Sequence, residues 1–307
     1  MVFLRLILAA AFLLSGSLSF AQKGISPPDP YLLPPIAPQA GIVNLINENT
    51  NGLTPRASQS LSSAVRNLVI VGAGQSNMAD SPQATAYTPS NPSALDQFNI
   101  NDGALYPATD PLLGCSLNNG GGNPLLRLGD NLVTAGLFDR VVLASVAIDG
   151  TAVVEWETGT YSTRLTVLFK RLAAKGLVAG TNVTVIVLWG QGETDTTNGT
   201  TQTAYTNSLN NVIAASRTAG FSGTWFVAVQ TYNTGSTSAA VAAAQAAVVN
   251  HGSNVWAGPN ADAIIGTTCA GLTCRPDNLH FGNNGMPVYV GSVSGWQFAL
   301  HAFGAPF

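Results

Sequence analysis

The sequence predicts an α/β fold in which helices cover both faces of a mostly parallel sheet. Its apolar, β-branched runs do not alternate with polar residues, as is typical of strands buried on both faces. Helical patterns lie between those runs, and strands that alternate with helices favour parallel pairing. The chain of 307 residues is long enough to bury a large core. These observations together predict one α/β domain at residues 61–307.

Four segments predict the strands, and each is short and apolar: residues 68–71, 141–146, 183–188 and 225–229. Helical patterns lie between and after them: residues 125–135, 163–175, 204–218 and 238–249. Gly176 and Gly220 end the second and third of these patterns, since glycine is a frequent helix stop. Residues 284–300 predict a C-terminal helix with Pro287 in its first turn. Residues 81–122 are rich in Gly, Asn and Pro and predict a long loop of the kind that often carries function.

The N-terminus predicts export. It has the three parts of a secretory signal peptide within residues 1–21, namely Arg5, an apolar run at residues 6–14 and a small-x-small cleavage site at residues 19–21. The apolar run is short, which favours a cleaved signal over a membrane anchor. We therefore expect a secreted or periplasmic protein with no membrane-spanning segment after cleavage. Residues 22–60, rich in Pro, Asn and Ser, predict an extended arm or linker.

The composition restricts the class of partner. Charged residues make up 9% of the chain, the formal net charge is −3, and no basic cluster is present. Binding to nucleic acid through its phosphates needs clustered Lys and Arg, so nucleic acid is not an expected partner. The uncharged polar residues that replace the charged ones would suit hydrogen bonding to a neutral polymer.

The cysteines predict one disulfide. Cys269 and Cys274 stand five residues apart, and in an exported protein this spacing indicates a bridge that closes a small loop. A metal site is the weaker interpretation, because His280 is the only other ligand type close to them in sequence. Cys115 is then left without a partner cysteine.

Polar residues follow every predicted strand, at residues 74–77, 147–151, 189–195 and 230–233. In an open α/β sheet, ligands collect at the carboxyl ends of the strands. Ser76 follows the first strand and is a candidate nucleophile, which needs a base to take its proton. Of the three histidines, His280 has Asp277 three residues before it, so the carboxylate can hold the imidazole Nδ1–H and leave Nε2 to face a serine. Taken alone, an Asp-x-x-His pattern is more typical of a turn histidine.

Three motifs, taken together and in their order along the chain, resemble those of a known family more specifically than any single residue does. They are GQSNM at residues 74–78, WGQGETD at residues 189–195 and DNLHF at residues 277–281. With them, the chain resembles the SGNH hydrolase superfamily, in its sialate O-acetylesterase and carbohydrate esterase family six branch, from residue 61 to the end. The resemblance implies a three-layer α/β/α flavodoxin-like sandwich with a central, mostly parallel sheet.

The resemblance also implies roles for particular residues. Ser76 would be the nucleophile, His280 the general base and acid, and Asp277 the residue that orients His280. The oxyanion hole would consist of the backbone N–H groups of Ser76 and Gly150 and the side-chain amide of Gln191. The implied function is a secreted serine esterase that hydrolyses O-acetyl esters on a carbohydrate or polysaccharide, with no metal and no organic cofactor.

The second motif position departs from the pattern of this branch. It reads Asp149-Gly150-Thr151, where the branch has Gly-Gly-Ser or Gly-Gly-Thr. The donor Gly150 is present, but a carboxylate at Asp149 would oppose an oxyanion unless it points away.

Other residues of the motifs have two interpretations each. Glu193 is either a helper for His280 or a substrate contact, or else it bonds loop N–H groups or Arg275. For Asp195 a structural role is favoured, and Asn77 could hold the turn at Ser76.

Two alternative functions stay open at this point. A polysaccharide O-acetyltransferase would share the acyl-enzyme and differ in its acceptor. A non-catalytic glycan-binding module on the same fold would be expected to lack the triad.

Overall fold

The computed structural model describes residues 46–50, 52–56, 66–117 and 121–302. Within these residues, seven strands form one sheet: β1 (Asn67–Gly74), β2 (Leu95–Phe98), β3 (Leu105–Pro107), β4 (Arg140–Ser145), β5 (Val183–Gly190), β6 (Thr224–Val229) and β7 (Val255–Asn260). Their order in the sheet is β3-β2-β4-β1-β5-β6-β7. The β2–β3 pair is antiparallel, and the other five pairs are parallel. The sheet is therefore mostly parallel, as the sequence predicts.

Helices pack on both faces of this sheet. Those in the described residues are α1 (Pro124–Thr134), α2 (Val153–Glu157), α3 (Arg164–Ala174), α4 (Glu193–Asn198), α5 (Gln202–Thr218), α6 (Ala239–Ala247), α7 (Gly285–Val290) and α8 (Trp296–Ala302). Within these described parts of the chain, no helix has the length and apolar character needed to cross a membrane.

Alternate residues of the four central strands β1, β4, β5 and β6 enter two separate cores. Val69 and Val71 of β1 pack with residues of α3, α5 and α6 on one face. Leu68 and Ile70 pack with residues of α1, α7 and α8 on the other. Because successive side chains of a strand point to opposite faces, a strand covered on both sides is apolar throughout. The three-layer α/β/α sandwich is confirmed.

The four predicted strands are confirmed, with ends that differ by up to three residues. The long loop expected at residues 81–122 is wrong in part, because this segment contains β2 and β3. Three strands were missed for a common reason: β2 reads LDQF, β3 has three residues including a proline, and β7 reads VWAGPN. None of these has the apolar, β-branched composition that identifies a strand from sequence.

The predicted single helix at residues 284–300 is also wrong, because it is two helices, α7 and α8. The chain leaves α7 at Gly291, which has an extended backbone conformation with a ψ angle of 171°. At Gly295 the chain packs so closely that a Cβ atom would lie 2.4 Å from the carbonyl oxygen of Tyr289. This break lets α8 turn back against β7 and α1.

Part of the predicted arm is bound to the domain. The Asn47 side chain donates to the carbonyl oxygens of Pro111 (3.0 Å) and Leu112 (3.1 Å). Its backbone exchanges hydrogen bonds with Gly114 and Cys115. Residues 46–50 are therefore an ordered part of the fold. The predicted signal peptide at residues 1–21 and residues 22–45 of the predicted arm lie outside the described residues.

Candidate active site

Ser76 lies at the carboxyl edge of the sheet, in a single 3₁₀ turn at Ser76–Met78 that follows β1 directly. The turn depends on Gly74, which has a φ angle of +126° and from which a Cβ atom would lie 2.1 Å from the Gly190 carbonyl oxygen. Only glycine fits this close approach of β1 and β5. The Gln75 N–H then donates to the same carbonyl at 3.0 Å. The end of β1 is thereby fixed, and Ser76 is presented just beyond it.

Ser76, His280 and Asp277 form a continuous chain of hydrogen bonds. The Nε2 atom of His280 lies 2.9 Å from the Ser76 hydroxyl oxygen, and Nδ1 lies 2.6 Å from Oδ2 of Asp277. Because a carboxylate only accepts, Nδ1 carries the proton and Nε2 is left to accept the Ser76 hydroxyl proton. The structure thus brings Ser76 together with Asp277 and His280, which lie about 200 positions later in the chain.

Asp277 also organises its own loop. Its Oδ1 atom accepts the backbone N–H groups of Leu279 (3.0 Å) and His280 (2.7 Å). Partial burial raises the pKa of Asp277, but the hydrogen bonds from the His280 side chain and backbone outweigh that effect and lower the pKa below its ordinary value. Asp277 is therefore ionised at neutral pH, as a residue that stabilises an imidazolium must be.

The loop that carries Asp277 and His280 is closed at its base. The Gly282 N–H donates to the Cys274 carbonyl oxygen at 2.9 Å. Cys274 is itself bonded to Cys269 by a disulfide with a Cα–Cα distance of 5.5 Å, as predicted. Cys115 is free and buried.

Removing this disulfide is expected to lower the free energy of unfolding by about 2 kcal/mol, the chain-entropy value for so short a loop. The measurement is urea unfolding of the double variant Cys269→Ser, Cys274→Ser against wild type. Wild type treated with a reductant should lose the same amount, and the double variant should not respond to the reductant. A double variant as stable as wild type would contradict the expectation.

The segment after β4 carries the predicted backbone donor Gly150. The Ile148 N–H donates to the Gly74 carbonyl oxygen at 2.9 Å, so this segment continues beside the end of β1. Gly150 has a φ angle of +64° and is exposed. The Asp149 N–H donates to the Ser116 hydroxyl at 3.0 Å. The structure therefore places Gly150 at the same sheet edge as Ser76.

Asp149 is half-buried. Its Oδ1 atom is buried, and its charge is one cause of the raised pKa of the Cys115 thiol, after the larger effects of burial and of the Asp80 charge. Asp149 therefore interacts with the buried region around Cys115.

Gln191 is completely buried, and its amide donates to protein groups. Its Nε2 atom lies 2.6 Å from Asp195 Oδ2, 2.8 Å from the Thr151 carbonyl oxygen and 3.2 Å from Gln75 Oε1. In this arrangement Gln191 fastens the Gly150 segment to the end of β5. To bind an oxyanion, one of its N–H groups would have to leave an acceptor it has here.

Asp195 links separate segments of the chain through hydrogen bonds. Its Oδ2 atom also accepts the Val153 N–H at 2.9 Å, and Oδ1 accepts the Thr200 hydroxyl at 2.7 Å. Asp195 thus joins the start of α2 to the end of α4.

Gln75 is a site residue that sequence reasoning missed. Its Oε1 atom accepts the backbone N–H groups of Gly192 (3.4 Å) and Thr194 (3.2 Å) as well as the Gln191 amide. A buried polar side chain directly after a buried strand was the available signal.

Glu193 is completely buried beneath the site. Its Oε1 atom accepts hydrogen bonds from the side-chain amides of Asn77 and Gln230, each at 2.9 Å. Burial raises the pKa of Glu193 to about 7, although these hydrogen bonds and the Arg275 charge act in the opposite direction. Arg275 itself donates to the carbonyl oxygens of Ile264, Ala261 and Leu279.

Glu193→Gln is expected to remove a pH-dependent loss of stability. The pKa of Glu193 is raised from 4.5 to about 7. Between those pH values the unfolded chain releases the proton and the folded chain keeps it, so the wild-type free energy of unfolding falls as pH rises. Relative to the variant, wild type should lose about 3 kcal/mol across this window and no more above it.

The measurement is urea unfolding at several pH values from 4 to 9. Glu48→Gln, the same substitution at an exposed position, is the matched control. Parallel curves for wild type and Glu193→Gln would contradict the prediction.

The layered sheet carries the GQSNM turn at the end of β1 and the WGQGETD motif at the end of β5, the motifs on which the chain resembles the SGNH hydrolases. The family described as "Carbohydrate esterase, sialic acid-specific acetylesterase" matches residues 66–292. The chain belongs to this family, and it is a carboxylic ester hydrolase of the carbohydrate esterase type.

Solved structures resemble this fold. A protein from Arabidopsis thaliana aligns with a TM-score of 0.56 and 22% identity, over 78% of this chain and 99% of that one. A lipase/acylhydrolase from Enterococcus faecalis aligns at a TM-score of 0.42 and 10% identity, over 73% and 91% of the two chains. A carbohydrate acetylesterase from Xanthomonas citri aligns at 0.44 and 16% identity, over 73% and 54%. No curated protein sequence matched the chain significantly.

Proposed function

We propose that this protein is a secreted serine esterase that removes acetyl groups from a carbohydrate through an acyl-enzyme on Ser76. The observation that supports it best is the chain of hydrogen bonds from Ser76 through His280 to Asp277. Nucleophile, base and orienting carboxylate are each within hydrogen-bond distance of the next, which is the geometry that serine acyl transfer needs.

The mechanism follows from the protonation states of the three residues. The Ser76 oxygen attacks the ester carbonyl carbon while His280 Nε2 takes the hydroxyl proton. The tetrahedral intermediate collapses, and His280 returns this proton to the departing sugar oxygen, which leaves an acetyl group on Ser76. Water then attacks the acetyl carbon while His280 Nε2 takes one of its protons. The second tetrahedral intermediate collapses, His280 gives this proton to the departing Ser76 oxygen, and acetic acid is released from the regenerated enzyme. Throughout, the ionised Asp277 stabilises the imidazolium.

The negative oxygen of the tetrahedral intermediate needs donors at the sheet edge. The backbone N–H groups of Ser76 and Gly150 are the proposed donors, and each such donor is typically worth about 100- to 1000-fold in rate. Gln191 is the third donor that the family resemblance implies. It would contribute on exchanging one of its protein acceptors for the substrate oxygen.

The substrate and the location of the protein are proposed from the family and the sequence. Membership of a carbohydrate esterase family supports an acetylated carbohydrate as substrate. The predicted signal peptide at residues 1–21 supports export, and a disulfide between Cys269 and Cys274 is typical of an oxidising compartment.

The test is acetate release by the mature chain from acetylated sialic acid, acetylated neutral sugars, acetylated polysaccharides and a small activated acetyl ester. We expect release from the activated ester and from at least one of the carbohydrates. Release from none of the four would overturn the proposal. Acetyl transfer to an added glycan in place of acetate release would point to the transferase.

A further inference from the structure

We propose that Asn77 is a positioning residue that holds His280 in place against Ser76, and that Glu193 fixes the orientation of the Asn77 amide. The inference rests on the proposed function, because it assigns His280 the role of base. Neither side chain forms a hydrogen bond with the His280 side chain. Asn77 binds the backbone that carries His280, and Glu193 acts through Asn77.

Asn77 forms hydrogen bonds with the peptide groups on both sides of His280. Its Oδ1 atom accepts the backbone N–H of Phe281 at 3.0 Å, and its Nδ2 atom donates to the Leu279 carbonyl oxygen at 3.3 Å. Asn77 is fully buried, so water does not compete for these bonds. Asn77 is the residue after Ser76. The turn that carries the nucleophile is therefore hydrogen-bonded directly to the loop that carries the base.

These two hydrogen bonds form in only one orientation of the Asn77 amide. Rotating it by half a turn would place the amide oxygen against the Leu279 carbonyl and the NH₂ group against the Phe281 N–H, so both bonds would be lost. Glu193 Oε1 accepts a second hydrogen bond from Asn77 Nδ2 at 2.9 Å. A carboxyl oxygen at this position accepts from NH₂ and repels a carbonyl oxygen. It therefore favours the amide orientation in which Asn77 bonds both backbone groups.

Glu193 is itself held by Gln230, the residue that follows β6. The Gln230 amide donates to the same Oε1 atom at 2.9 Å, and the Tyr289 hydroxyl donates to Gln230 Oε1 at 2.6 Å. This row of buried groups leaves Glu193 little freedom to move. It ties the ends of β5 and β6 to the Ser76 turn through side chains that do not touch the reacting atoms.

This positioning role predicts a kinetic effect, because proton transfer requires Ser76 and His280 to keep their hydrogen-bond distance and direction. Displacement of a reacting group by about 1 Å can cost on the order of 100-fold in rate. Without the Asn77 hydrogen bonds, the Asp277–His280 pair would remain intact within its own loop. The distance between His280 and Ser76 would no longer be fixed. The expected defect lies in kcat, with KM changed less than about threefold.

The experiment measures kcat and KM on a small activated acetyl ester for four single variants. Asn77→Ala and Glu193→Leu should lower kcat by about 30- to 100-fold. Glu193→Gln keeps a carbonyl oxygen for Asn77 and should lose less than 10-fold. Gln230→Leu removes the other hydrogen bond to the same Glu193 oxygen without touching the His280 loop, and should also lose less than 10-fold.

A double-mutant cycle separates positioning from general structural damage. If Asn77 acts through His280, adding Asn77→Ala to His280→Ala should cost no more than about twofold further, whereas independent effects would multiply. Multiplying losses would overturn the inference.

The remaining outcomes are also decisive. A loss above 1000-fold in Glu193→Gln, which preserves the shape of the side chain, would overturn the inference by assigning the chemistry to the Glu193 charge. Wild-type turnover with Asn77→Ala and Glu193→Leu both within threefold of it would overturn the inference and leave the proposed function intact. Failure of wild type on every ester would instead overturn the proposed function. If Asn77→Ala or Glu193→Leu fails to fold, the kcat losses of the other two variants are compared. A loss in Glu193→Gln more than 10 times the loss in Gln230→Leu would contradict the inference.

Discussion

Replacing Ser76 by alanine is expected to reduce ester hydrolysis by roughly 10⁴- to 10⁶-fold, because every productive turnover in the proposed mechanism passes through a bond to its oxygen. What remains would be rate enhancement from the backbone donors and from substrate binding. The side chain is small, and its removal deletes one hydrogen bond to His280, so stability should change by no more than about 1 kcal/mol. The measurement is single-turnover and steady-state acetate release.

The matched control is Ser222→Ala. Ser222 is exposed in the loop before β6 and should retain wild-type kcat and KM. A second measurement is mass spectrometry of acid-quenched enzyme, which should show a gain of one acetyl group on wild type and none on Ser76→Ala. Retention of more than about one tenth of wild-type activity in Ser76→Ala would exclude the acyl-enzyme on this serine.

Asp277→Asn is expected to lower kcat by about 10³- to 10⁴-fold with little change in KM. An amide at this position can present its NH₂ group to Nδ1 of His280, which stabilises the wrong tautomer and removes the charge that balances the imidazolium. Wild type keeps Asp277 ionised in mildly acidic solution because its pKa is lowered. Protonation of Asp277 itself should therefore not limit wild-type activity between about pH 5 and 8.

Asp139→Asn provides the control for loss of a carboxylate. Asp139 forms an ion pair with Arg66 at 2.8 Å on the surface, so this variant should retain wild-type kcat. The sign of the stability effect also tests the assignment. The Asp277–His280 interaction stabilises the fold above the ordinary carboxyl pKa and is lost as pH falls through the lowered pKa. If Asp277→Asn lost less than 10-fold in kcat, another carboxylate would have to orient His280.

The buried network under the site explains why neighbouring polar residues differ in what they can do. Glu193 and Asp195 are two positions apart, yet Asp195 joins α2 to α4 and Glu193 faces Asn77. Proximity in a motif therefore did not predict a shared role. The side-chain partners separate them, and those partners come from different strands.

The elements that the sequence predicted share one property. Strands β1, β4, β5 and β6 are apolar runs covered on both faces, and their signal lies within the run itself. Strands β2, β3 and β7 contain polar, Gly or Pro residues, so their pairing in the sheet decides their conformation more than their own composition does. The break between α7 and α8 was missed because it depends on close backbone packing at Gly295.

Local patterns were enough to predict the class of fold, the Cys269–Cys274 pair and the motifs that contain Ser76, Asp277 and His280, because none of these needs knowledge of neighbouring strands. The hydrogen-bond partners of four buried side chains could be read only from the folded chain: Asn77, Gln75, Gln191 and Glu193. Asn77 and Glu193 are 116 positions apart and meet because β1 and β5 are neighbours in the sheet. A hydrogen bond is specified by distance and direction between two atoms, and that information exists only once the strand order is set.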